Sequence, residues 1–168
     1  MKFLSIQEYF YKLNTIGFIL LLLPMVAFIF LYYGLIYYIP PLPSSQSIFL
    51  VMEIAIAISF IALTTVYWAC RVRMGRLSKL IELARKMDGY YSITLLRMGT
   101  YGGCSLLMAA GFFATGESWF TALFIVIALG MVLQWPSRPK FCRQFGLRGG
   151  ERDVIMNNRN FFQKNRRG

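Results

Sequence analysis

One carboxylate lies inside an otherwise apolar run: Glu53, within "LVMEIAIAI". An ionisable residue inside a membrane span is a functional-site hypothesis by default, because burying a charge in hydrocarbon is costly. Glu53 is therefore a candidate ion-responsive carboxylate, taking up and releasing a proton as a carrier or channel works. The competing reading is a carboxyl that hydrogen-bonds a neighbouring helix or a partner subunit. Position along the chain bears on the choice. Glu53 precedes Trp68 by 15 residues, about 22 Å along a helix at ~1.5 Å per residue. In a hydrocarbon core of about 30 Å that is past the middle, away from the midplane where transporters usually place their sites.

Other chemistry is sparse. The chain contains no histidine, which removes the commonest general base and the commonest metal ligand. Its seven acids are scattered, and no two form a pair within one apolar run. Serines in the apolar runs have no histidine to activate them. Metal-ligand spacing is absent, and "YGGCSLL" lacks the preceding strand that a phosphate-cradling glycine loop needs. No catalytic residue, cofactor-binding residue or metal ligand can be assigned, and a non-enzymatic protein without a cofactor is expected. Cys70, Cys104 and Cys142 are odd in number and lack framework spacing, which argues against a disulfide-stapled secreted fold. Cys70 and Cys142 read as cytoplasmic thiols near the membrane, Cys142 being open to acylation, and Cys104 as a packing residue.

The elements that must carry these residues are greasy. Only 15% of the 168 residues are charged, against about 25% in ordinary soluble domains, and the charges cluster. Four apolar runs approach the ~20 residues that a helix needs to cross a bilayer: 16–39, 48–70, 98–114 and 119–135. The connector "PPLPSSQ" (40–46) is uncharged, and "TGES" (115–118) carries only Glu117. By contrast, the 71–88 loop and the tail 136–168 are basic, giving the chain a net charge of +11. Basic loops stay in the cytoplasm, so both termini and the middle loop are expected inside. Strand-type alternation is missing, and with it the case for an outer-membrane barrel. The expected architecture is all-α: four transmembrane helices in 1–135, an amphipathic helix in the 71–88 loop lying on the inner leaflet, and a basic cytoplasmic tail. A retained first span is expected instead of a cleaved signal, because the first run is too long for an h-region.

Two stretches resemble each other. "WACRVRMGR" (68–76) aligns with "WPSRPKFCR" (135–143), placing Arg71 over Arg138, Arg73 over Lys140 and Arg76 over Arg143. These six residues mark the inner boundary and form a docking surface for acidic partners or anionic lipid headgroups. "KLNTIGFILLL" similarly aligns with "RMGTYGGCSLL", which puts Arg97 at the inner boundary with its head reaching the phosphates. The echo suggests two same-direction helical hairpins from an internal duplication. Gly99, Gly102 and Gly103 give the third span a small side suited to close helix packing. The tail mixes basic and aromatic residues, but nothing in it resembles a nucleic-acid module. The resulting expectation is a non-catalytic membrane subunit or scaffold in a bacterial inner membrane, partnered by lipid and by other membrane-protein subunits. The alternative is a small oligomeric carrier or channel that uses Glu53.

Overall fold

A computed structural model describes residues 6–37, 46–79, 83–147 and 150–156. Among these the protein is all-α, with no strand. The helices are α1 (Ile6–Tyr37), α2 (Gln46–Ser78), α3 (Leu83–Thr115), α4 (Ser118–Leu133), α5 (Arg138–Gln144) and α6 (Gly150–Met156). α1 and α2 are long and apolar enough to cross a membrane, and a third span results if α4 and α5, bent by 77° at the break between them, are taken together. α3 does not meet that test: its run of Gly, Ser, Tyr and Thr dilutes the apolar residues.

The helices overrun the apolar stretches. α1 and α2 have 32 and 33 residues, about 48–50 Å at 1.5 Å per residue, well beyond a ~30 Å hydrocarbon core. This corrects the separate amphipathic helix expected in the 71–88 loop. Residues 71–78 continue α2 and residues 83–88 begin α3. Of the periodic apolar residues Leu77, Leu80, Ile81, Ala84 and Met87, Leu77 and Met87 pack into a protein core together with Leu83, and Ala84 stays exposed. The Leu80, Ile81 and Glu82 part of that expectation lies outside the described residues.

Turns follow from local chemistry. α3 ends at Gly116, whose φ of 70° is the left-handed conformation that glycine adopts without cost, and its N–H donates to the Phe112 carbonyl at 2.7 Å. α4 stops before Pro136, where "WPSRP" cannot continue a helix, and Pro139 sits in the first turn of α5. α5 closes at Gly146 (φ 60°), with Leu147 N–H donating to the Cys142 carbonyl at 3.0 Å. The aligned boundary stretches therefore fold differently. "WACRVRMGR" is uninterrupted helix inside α2, whereas "WPSRPKFCR" is a break followed by a short new helix.

The chain divides into two compact units, built from residues 1–18, 69–95 and 135–168, and from residues 19–68 and 96–134. The first unit has an aromatic core. Phe141 of α5 is fully buried and meets Phe10 of α1 (ring centroids 6.1 Å) and Tyr90 of α3 (5.0 Å), both edge-on. Phe145 and Ile155 close the same core. The buried Tyr9 hydroxyl donates to the Met87 carbonyl at 2.7 Å. The start of the tail is thus folded onto the start of α1. In the second unit Phe28 of α1 stacks on Phe124 of α4 (4.4 Å) and lies 5.4 Å from Phe112 of α3. Ser59, Cys104 and Ser105 are buried beside this cluster, small enough to let α2 and α3 pack closely.

Candidate functional site

Charge is partitioned between the two units. Of the 18 Lys and Arg residues, all but Arg97 fall in the stretches that make up the first unit, and of the seven acids only Glu53 and Glu117 fall outside them. The second unit is apolar on its outside. Phe30, Phe60 and Trp119 are 80%, 71% and 71% exposed, and Ile, Leu and Val side chains of α1, α2 and α4 join them. Its buried positions include serine, while its exposed positions are mainly aliphatic and aromatic. A soluble protein does not present apolar surface on this scale; a protein whose outer solvent is lipid does.

The basic residues named from the sequence gather in the first unit. Arg71, Arg73 and Arg76 are exposed on the last turns of α2, and Arg143 is exposed on α5. Arg138 is half-buried, its guanidinium carbon 5.7 Å from the Phe10 ring centre, a cation–π geometry. The Lys140 ammonium donates to the Trp135 carbonyl at 3.1 Å, covering one of the acceptors left open where the chain breaks after α4. Trp135 itself is half-buried, edge-on to Phe18 at 4.7 Å.

Glu53 is exposed on α2 and has no hydrogen bond or ion pair among the described residues. Arg97 differs from the expectation of a head reaching out to lipid. Its Nη2 donates to the Gln134 main-chain carbonyl at 3.0 Å, so the guanidinium closes the carbonyl end of α4, where the helix dipole favours a cation. The Gln134 amide in turn donates to the Tyr101 hydroxyl. This cluster ties α3 to α4, and no spacing in the sequence announced it. The glycines also separate. A Cβ on Gly102 would lie 3.1 Å from the Leu20 carbonyl of α1, whereas one on Gly99 or Gly103 would meet nothing within 4 Å.

The cysteines are less open than the sequence suggested. Cys70 and Cys142 are both buried, like Cys104. Burial pushes the Cys142 thiol up, with the Arg152 charge pulling the other way, so it is a poor nucleophile in the folded state. Among the described residues no group of His, Cys, Asp and Glu is placed to hold a metal ion. Comparison with protein-family models, with curated proteins and with solved structures gives no match.

Proposed function

We propose that the protein is a non-catalytic integral subunit or scaffold of a larger membrane assembly. The partition of charge and exposure carries this reading: one unit holds nearly all the charge, and the other exposes mainly apolar side chains. In this account the second unit is immersed in a bacterial inner membrane, with α1 to α4 supplying four crossings. α3, too polar to stand alone in lipid, crosses because α1, α2 and α4 shield it. Both termini and the α2–α3 turn lie in the cytoplasm, by the same basic bias that orients membrane proteins generally. The first unit is then a folded basic body at the inner surface. Arg71, Arg73, Arg76 and Arg143 are its contact points for acidic partner surfaces or anionic headgroups.

The exposed position of Glu53, without a protein partner among the described residues, keeps one rival in view, a small oligomeric carrier driven by that carboxylate. The two readings separate cleanly. Purified protein reconstituted in liposomes under a pH gradient should move no ion or dye unaided, and Glu53→Gln should leave assembly with partners unchanged. Flux by the wild type that disappears in Glu53→Gln would replace the subunit reading by the carrier.

A further inference from the structure

The first unit contains a cleft of about 600 Å³ between the start of α1 and the segment that follows α4. Gln7, Phe10 and Asn14 line one side, and Trp135, Ser137 and Arg138 the other. No carboxylate lines it, so the Arg138 charge is not neutralised from within. Three further observations suit it to an anion. The Arg138 guanidinium is held near the Phe10 ring, which limits the orientations of its fork of donors. Asn14 Oδ1 is buried with no hydrogen-bond partner; exchanging the two ends of that amide would present a donor there instead. Ser137 occupies the position before α5 but makes no side-chain capping bond, leaving its hydroxyl available to a ligand.

We propose that this cleft binds the phosphodiester of an anionic phospholipid headgroup. The proposal rests on the membrane reading above, though not on any protein partner. Guanidinium matches phosphate oxygens in a two-pronged way that an ammonium does not. A single lining cation balances a singly charged diester, whereas free phosphate carries between one and two charges at neutral pH and would be left partly uncompensated. The walls fit a lipid as well. Phe10, Trp135 and Met156 give the cleft apolar wall surface, and Trp135 follows the last apolar helix, at the level where tryptophan accompanies headgroups. Basic pockets on the cytoplasmic side of membrane helices are established places for anionic headgroups.

Trp135 reports occupancy. In full-length protein carrying Trp68→Phe and Trp119→Phe, in neutral detergent, its fluorescence is followed during titration with dioctanoyl phosphatidylglycerol, dioctanoyl phosphatidylcholine or inorganic phosphate. Phosphatidylglycerol should give a saturable change, while phosphatidylcholine and phosphate should give none over the same range. Arg138→Gln should weaken binding about tenfold or more, the size expected for losing charge-assisted hydrogen bonds, and Lys79→Gln, an exposed cation outside the cleft, should leave it intact. Circular dichroism checks that Arg138→Gln keeps its helix content. Should it not fold, Arg138→Lys keeps the charge but loses the fork, and should bind more weakly than wild type. Equal response to the two lipids, or wild-type affinity in the folded Arg138 variant, overturns the site. Saturation by phosphate alone overturns the lipid as its ligand. Because purified protein is used without partners, failure here leaves the subunit reading standing, and failure of partner recovery leaves this site standing.

Discussion

Gly102 and Gly103 are sequence neighbours on α3 that should respond oppositely to a larger side chain. Pro24 has no N–H to give the carbonyl four residues earlier, that of Leu20. α3 approaches this same carbonyl at Gly102, where an added Cβ would sit 3.1 Å from the oxygen. The glycine lets the two backbones meet where α1 has a missing helical bond. Alanine at 102 gains about 1 kcal/mol of helix propensity but must push α1 aside, and overpacking costs ~1–3 kcal/mol. Leucine there cannot be accommodated without separating the helices. Gly103 has nothing within 4 Å of its Cβ position, so alanine keeps the propensity gain of roughly 1 kcal/mol and leucine projects outward. For a chain of this length ~1 kcal/mol corresponds to about 2–4 °C in Tm. Thermal unfolding in mild detergent, followed by circular dichroism, should show Gly103→Ala unchanged or a few degrees higher. Gly102→Ala should be unchanged to several degrees lower, and Gly102→Leu at least ~10 °C below Gly103→Leu. Equal loss in the two leucine variants would mean that the outward face of α3 is packed, and the helix arrangement would be wrong.

Other outcomes follow from single contacts. Tyr9→Phe removes the bond from its hydroxyl to the Met87 carbonyl, which keeps its helical donor within α3, and should cost about 0.5–1.5 kcal/mol, read from the same unfolding curves. Cys142 lies in α5, outside the segments taken as spans, and its folded thiol holds its proton to higher pH than the unfolded thiol does. Its contribution should therefore be complete below about pH 8.5, the ordinary thiol value, and be lost as pH rises beyond it. Cys142→Ala should flatten that alkaline decline, and an unchanged slope would count against it. For topology, Ser44→Cys in intact cells should react with an impermeant maleimide, while Ser78→Cys should react only after the membrane is opened; the reverse pattern inverts the orientation.

Helix content and the paucity of charge in 19–68 and 96–134 were readable directly, because hydropathy depends only on local composition. Helix ends were not. Nothing in "CRVRMGRLS" breaks a helix, so α2 runs on through its arginines to Ser78, although the apolar run ends near Cys70. The basic middle loop looked like a surface helix because Leu77 and Met87 recur with helical spacing. Spacing says that a face is apolar; it does not say whether lipid or protein covers it, and here Phe141 and Tyr90 share the core that does. The same limit hid the tail's role, since the seven-residue α5 with three basic residues looks solvated until Phe141 and Cys142 are seen facing inward. Arg97 was placed near a membrane boundary by alignment with Lys12, but its partner, a main-chain carbonyl 37 residues away, carries no sequence signature. The six basic residues aligned from the sequence all fall in the first unit, since charge excluded from an apolar unit has only the other unit to occupy.

The proposed role of the basic unit is to dock this apolar chain into a larger membrane assembly. Its most direct test is purification of the tagged chain in mild detergent, with mass and composition measured on the intact particle, beside a variant carrying Arg71→Glu, Arg73→Glu and Arg76→Glu. A stoichiometric complex with larger membrane proteins is expected, lost in the triple variant while the chain itself stays folded in the membrane. A wild-type particle containing only this chain, or a complex that survives the charge reversal unchanged, would contradict it.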